Sequence, residues 1–108
     1  MLSQRRPLFS LYEDDLDLED DLHDFVVGLA ATVDELQDAG SNRDLGILTK
    51  LSLALVNDAS RFGYPPLQVV AQSVHSASEG GKEDAIEDAL IDLTEIARRI
   101  RLGHHGAA

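Results

Sequence analysis

The sequence lacks cysteine altogether, so it can form neither a disulfide bond nor a thiolate metal site. It also lacks a run of about 20 apolar residues, the length needed to span a bilayer. Its first residues include two arginines but no apolar block behind them, so they make a poor signal peptide. Together these absences predict a cytoplasmic protein with no membrane contact.

Basic side chains are scarce, with nine Lys and Arg against 20 Asp and Glu, for a net charge of −11. Such a chain repels a phosphate backbone, so nucleic acid is not an expected partner. Much of the acidity falls in residues 13–21, but this stretch lacks the Gly and the bidentate Glu that an EF-hand loop needs. We interpret it as the solvated acidic start of a helix, where negative charge suits the helix dipole.

The sequence motifs of common enzymes are also missing. There is no Gly-rich phosphate loop, no nucleophile elbow and no His-Glu-x-x-His sequence. The many carboxylates fall on predicted solvated helix faces, where nothing raises the pKa of one above that of another. We therefore expect no enzymatic activity, no cofactor and no metal.

Apolar residues at helical spacing predict four helices, and no segment alternates as a strand would. The predicted helices cover about residues 16–38, a second segment closing at Gly63, a third opened by Pro65-Pro66, and residues 82–102. The predicted breaks are Gly40-Ser41-Asn42, Gly80-Gly81 and Gly103, and Ser41 or Asn42 is predicted to cap the second helix.

The helices present apolar stripes that should face one another. The predicted inward residues outside the second helix are Leu22, Phe25, Val26, Leu29, Val33 and Leu36, then Leu67, Val70, Ala71, Val74 and Ala77 or Ser78, then Ala85, Ile86, Ala89, Leu90, Leu93, Ile96, Ala97 and Ile100. With short connections, this pattern predicts an all-α, up-down antiparallel four-helix bundle over residues 16–102. Residues 1–15 are then an N-terminal extension, and residues 103–108 are a predicted disordered tail.

The second helix has more apolar residues than one face can hold. Its inward stripe consists of Leu48, Leu51, Leu55, Ala59 and Phe62. Leu53 points almost directly away from that stripe, so we expect its side chain to be exposed. Its neighbours on the same face are Lys50, Val56, Asn57 and Ser60. These five residues, which we call the Leu53 face, form an apolar patch among small polar side chains.

The segment LTKLSLALVNDASRFGYP, residues 48–65, resembles the signature helix of histidine-phosphotransfer (HPt) domains. In that family a His-x-Leu-Lys-Gly motif precedes a run of small residues and a Phe-Gly-Phe/Tyr-Pro turn. Matching the turn Phe62-Gly63-Tyr64-Pro65 puts the phosphoacceptor position at Leu53. Leu55 keeps the Leu of the motif, whereas Val56 and Asn57 replace its Lys and Gly.

The resemblance covers roughly residues 7–102 and implies a four-helix bundle, commonly preceded by a short helix that would be residues 8–12 or the acidic stretch after them. Leu53 has no nucleophile and Val56 has no charge, so phosphotransfer is not expected. The resemblance instead implies a module of a two-component phosphorelay that acts without catalysis. We expect it to bind a response-regulator receiver or a histidine-kinase domain through the Leu53 face, on which Lys50 is the one cation.

Two alternatives remain open at this point. The chain could be a helical assembly protein that forms a homodimer through the Leu53 face. It could also be a phosphocarrier that uses a relocated histidine, His75, although we expect His75 to be an exposed structural residue near Glu79. His23 lies among carboxylates that disfavour an anionic phosphoryl donor, and His104-His105 fall in the predicted tail.

Overall fold

The computed structural model describes residues 6–106, with side chains to His104. Within this range the chain forms α1 (Glu19–Ser41), α2 (Leu45–Arg61), α3 (Pro65–Gly80) and α4 (Glu83–Gly106), and it contains no strand. Each helix packs against the next, and α4 packs against α1 to close the ring. The connections are only two or three residues long, so consecutive helices run antiparallel. The predicted all-α four-helix bundle is confirmed.

The turn between α1 and α2 differs from the prediction in its capping residue. Because α1 continues through Ser41, neither Ser41 nor Asn42 is free to begin the next helix. The cap of α2 is Asp44, whose Oδ1 accepts a hydrogen bond from the backbone N–H of Ile47 at 3.1 Å. The prediction that Ser41 or Asn42 caps α2 was therefore wrong, although the class of capping side chain is the expected one.

The other two turns follow the predicted Gly and Pro signals. Gly63 has a φ of +75° directly after α2, and Pro65-Pro66 occupy the first turn of α3. Gly81 ends α3 in the left-handed region with a φ of +65°. An added Cβ at Gly63 would also lie 2.8 Å from Cδ2 of Tyr12, so this position needs glycine for packing as well as for backbone conformation.

The core consists of the predicted stripes with a few changes. Phe25, Leu51, Val70, Ala77 and Ile96 are half-buried at its edge. Ala85, predicted to face inward, is exposed, whereas Ile86 beside it is buried, so the buried stripe of α4 begins at Ile86. Ser52 and Ser78 are buried among the aliphatic side chains, and they bear directly on the candidate site.

The N-terminal segment, residues 6–15, is an irregular strap across one end of the bundle. It forms no helix at residues 8–12, so that alternative was wrong, and a single turn of 3-10 helix at Leu16–Leu18 precedes α1. The N–H of Leu8 donates to the carbonyl of Arg99 at 2.9 Å, and the N–H of Leu11 donates to the carbonyl of Gly63 at 2.8 Å. The strap thus joins α4 to the turn between α2 and α3.

The strap also explains why α4 does not end at Gly103. This glycine is buried against the strap, and an added Cβ would lie 2.9 Å from the carbonyl carbon of Leu8. It therefore serves close packing inside the helix instead of terminating it. The prediction of a helix end at Gly103 was wrong, since residues 103–106 are helical. Residues 107–108 of the predicted tail and the side chain of His105 lie outside the described part of the chain.

Candidate protein-binding face on α2

Leu53 lies in the middle of α2 with its side chain directed away from the core, as the helical period predicts. It is 46% exposed, whereas Leu48 and Leu55 on the same helix are almost completely buried. Lys50, Asn57 and Ser60 are exposed as well. Val56 is half-buried at the edge of the core. The five predicted residues therefore share one surface, with one accessible aliphatic side chain at its centre.

The Leu53 face carries little charge. Its only ionisable side chain is that of Lys50, and none of the ion pairs among the described residues involves Lys50. The ammonium group is therefore available to an acidic group on a partner. Apolar contact at the centre with polar and charged groups around it is the usual arrangement of a transient protein interface.

A small polar layer lies directly beneath this face, between α2 and α3. The Oγ of Ser52 is buried and donates to the carbonyl of Leu48 at 2.6 Å. The hydroxyls of Thr49 and Ser78 lie 3.0 Å apart, and that of Ser78 also reaches the carbonyl of His75 at 2.8 Å. No described buried side-chain N or O atom lacks a hydrogen-bond partner, so the layer is satisfied internally.

His75 belongs to this layer, which contradicts the prediction that it is exposed. Its side chain is only 13% exposed because it lies on the flank of α3 that packs against α2. The Nδ1 atom is 3.1 Å from the carbonyl oxygen of Thr49. A carbonyl can only accept, so Nδ1 must carry the hydrogen of this bond. The Nε2 atom is 3.5 Å from Oε1 of Glu79.

The sequence contains a signal for this layer that the spacing of apolar residues alone does not reveal. Ser52 is four residues after Leu48 and three before Leu55, so it occupies a core position on α2. Ser78 occupies the equivalent place four residues after Val74. Two serines in apolar stripes predict buried hydroxyls that need partners, and a histidine nearby can supply one.

The other two histidines whose side chains are described form a pair near the strap. His23 on α1 and His104 on α4 approach with Nδ1 and Nε2 2.8 Å apart. His104 lies within α4, which continues to Gly106. Across residues 6–104, no three His, Asp or Glu side chains are grouped so that they could hold a metal ion.

An aromatic cluster holds the turn between α2 and α3 beneath the strap. The rings of Phe25 and Phe62 stack with centroids 4.8 Å apart, and Tyr64 lies beside them. Burial, with a smaller contribution from the carboxylate of Glu13, raises the pKa of Tyr64 to about 12. The turn that ends the candidate helix is therefore fixed by packing on both sides.

Comparison with protein-family models, with curated proteins and with solved structures found no match for the chain. Within the described range, no helix is both long enough and apolar enough to cross a membrane. Function must therefore be inferred from the residues and geometry of the Leu53 face.

Proposed function

We propose that this protein is an HPt-like signalling module of a two-component phosphorelay that has lost its phosphoacceptor and acts as a protein-binding adaptor. Its partner is a receiver domain or a histidine-kinase domain, bound through the Leu53 face. The observation that carries this proposal is the exposure of Leu53 at the centre of α2, the position that corresponds to the phosphoacceptor in the family it resembles.

The local geometry of the turn after α2 supports the same assignment. The sequence Phe62-Gly63-Tyr64-Pro65 ends α2, uses a positive φ at Gly63 and begins α3 with proline. Such a turn brings α3 back alongside α2 and leaves the Leu53 face uncovered by α3. A rigid helical hairpin presenting one exposed patch is suited to docking without a large change in shape.

The chemistry on this face supports binding and not phosphotransfer. Leu53 offers no nucleophile, and Val56 places an aliphatic group where the family motif has a lysine. His75 is a poor substitute, because the carboxylate of Glu79 stands 3.5 Å from its Nε2 and would repel an incoming phosphoryl group. We expect no acid-labile phosphate on the protein, and a signal that disappears in His75→Gln would contradict this.

Calorimetric titration of receiver and kinase domains into the protein tests the proposal. Receiver domains should be titrated with and without beryllofluoride, which mimics aspartyl phosphate. We expect a dissociation constant in the micromolar range, and a loss of about tenfold or more in Leu53→Asp, because a carboxylate would be buried in an apolar contact.

Val69→Asp is the matched control, since Val69 is 65% exposed and projects from α3 on the side away from the core. It should leave the affinity unchanged, and circular dichroism should show that both variants remain folded. Failure of all receiver and kinase domains to bind would contradict the proposal. Sedimentation could instead show a dimer that Leu53→Asp converts to a monomer. In that case the alternative of a helical assembly protein would replace the proposal.

A further inference from the structure

A second surface of the molecule lies where the N-terminal strap passes over the ends of α1 and α4. Here the chain leaves a groove of about 470 Å³. Phe9 and Leu16 line it and are 51% and 80% exposed, respectively. Leu16 is therefore the most exposed large apolar side chain in the described part of the protein. Exposed apolar side chains that share one surface commonly mark a contact site, and Phe9 and Leu16 line the same groove.

The groove is preformed because the strap is fixed at several points. Ser10 is buried and its hydroxyl donates to the carbonyl of Phe62. The backbone N–H of Leu8 donates a hydrogen bond to the carbonyl of Arg99 in α4, and Nε of Arg99 donates to the carbonyl of Arg6 at 2.8 Å. A partner would therefore not have to order this segment on binding, which lowers the entropic cost of association.

The same groove is strongly acidic. Glu13, Asp14 and Glu19 all line it, and all three are exposed. None of the ion pairs found within residues 6–106 involves them. The chain has no Lys or Arg between Pro7 and Asn42, and no Lys or Arg is among the described residues that line the groove.

We propose that this groove binds a positively charged protein segment that carries an apolar anchor side chain. The anchor would pack against Phe9 and Leu16, and Lys or Arg on either side of it would pair with the three carboxylates. A second copy of this chain is a poor occupant, because its own copy of the surface has the same negative charge. Anionic lipid and nucleic acid are repelled for the same reason.

The groove is separate from the Leu53 face. None of the five residues of that face lines the groove. This proposal therefore stands independently of the proposed function, and Leu53→Asp should leave binding at the groove unchanged.

Nuclear magnetic resonance titration with short capped peptides tests the proposal. The probe alternates Arg with Leu, and two counterparts alternate Glu with Leu and Arg with Ser. We expect the Arg-Leu peptide to shift amide signals of the strap, the start of α1 and the end of α4, more weakly as salt rises. The Glu-Leu peptide should not bind, and the Arg-Ser peptide should bind at least tenfold more weakly.

Two variants of the protein separate the apolar contribution from the charge contribution. Leu16→Ser should weaken binding about tenfold, and Ile91→Ser, which is 61% exposed on α4, is its control. The triple variant Glu13→Gln, Asp14→Asn, Glu19→Gln should weaken binding about tenfold at low salt. Its control, Asp34→Asn, Glu35→Gln, Asp38→Asn, removes the same charge from exposed positions farther along α1.

Three results would overturn the proposal. Equal weakening by the two triple variants would mean that only net charge attracts the peptide. Unchanged affinity in both Leu16→Ser and Phe9→Ser would mean that the apolar wall is not used. Absence of any shift at the groove with the Arg-Leu peptide would mean that it is not a binding site.

Discussion

Residues 7–42 and residues 45–80 are segments of equal length with opposite ways of handling polar groups. The first, which contains the strap and α1, has eleven Asp and Glu and no Lys or Arg. The second, the α2–α3 hairpin, has two acidic and two basic side chains and is neutral. Since the net charge of the chain is −11, the first segment alone has a charge as large as that of the whole protein.

The difference extends to where the polar groups lie. On α1 the buried residues are all apolar, namely Leu22, Val26, Leu29, Val33, Leu36 and Ala39. The hairpin instead buries Ser52 and Ser78 and most of His75. A buried hydrogen-bonded layer fixes how α2 and α3 sit against each other, because slipping either helix would leave polar groups unpaired. Buried hydrogen bonds thus define the shape of the hairpin, whereas the strap and α1 are distinguished by their exposed negative charge.

These two properties suit different partners. The Leu53 face, with one exposed leucine and one lysine, would select a partner by complementary shape, and Lys50 would pair with an acidic group on that partner. An acidic groove selects by charge and attracts basic partners at long range, in a manner that salt weakens. If both proposals hold, one small domain would bind two proteins through surfaces that share no residue.

The two segments meet at the strap, and the largest predicted effect comes from detaching it. In Gly103→Ala the new methyl group would collide with the backbone of Leu8, which cannot move without losing its hydrogen bond to Arg99. We expect a loss of about 2–3 kcal/mol in the free energy of unfolding, as is typical of overpacking. Urea denaturation measures this loss, and hydrogen exchange should show that the amides of Leu8 and Leu11 lose protection.

Gly28→Ala provides the matched control, because nothing lies within 4 Å of a Cβ added at this exposed site inside α1. It should stabilise the protein by about 0.5–1 kcal/mol, since alanine is the better helix former. If Gly103→Ala also stabilised the protein, α4 would not pack against the strap as described.

Glycine shows clearly what could and could not be predicted from the sequence. At Gly63 and Gly81 the local signals and the three-dimensional requirement coincide, so the turns were predicted correctly. At Gly103 the local signal for a helix end is the same, but the residue meets Leu8 of the strap, which lies 95 positions away in the chain. No local pattern contains that contact.

The candidate site shows the same division between local and long-range information. The exposure of Leu53 follows from the period of a single helix, and it was predicted correctly. The burial of His75 depends on which flank of α3 faces α2, and a single helix does not define that. The acidic groove depends on the path of the strap, a segment with no periodicity, so only the charge of the groove could be predicted from the sequence.

The next effect concerns Tyr64, where Glu13 of the strap lies near the turn of the hairpin. Because the pKa of Tyr64 is raised to about 12, the folded protein keeps a proton that the unfolded chain loses above about pH 10. This contribution to stability is therefore fully present below pH 10 and is lost as the pH rises toward 12. Urea denaturation at several pH values between 9 and 12 should show the decline.

Two variants assign this decline to its causes. The free energy of unfolding of Tyr64→Phe should fall less steeply between pH 9 and 12, because this variant has no phenol to ionise at that position. Glu13→Gln should make the decline slightly smaller, because it removes the lesser of the two causes that raise the pKa of Tyr64, and burial remains in place. If Tyr64→Phe lost stability with the same slope as the original protein, the phenol would not be the group responsible.

The smallest predicted effect comes from substituting acidic residues of α1. It tests whether their charges stabilise the helix or contribute only to binding. Asp20 lies in the first turn of α1, where its charge favours the positive end of the dipole, and Asp38 lies in the last turn, where its charge opposes the negative end. Asp20→Asn should therefore cost a few tenths of a kcal/mol and Asp38→Asn should gain a similar amount, with both differences shrinking in 1 M salt. Thermal denaturation at low and high salt measures both. If the two variants shifted stability equally and in the stabilising direction, general repulsion within residues 7–42 would outweigh the dipole, and the acidity of this segment would be maintained at a cost to folding.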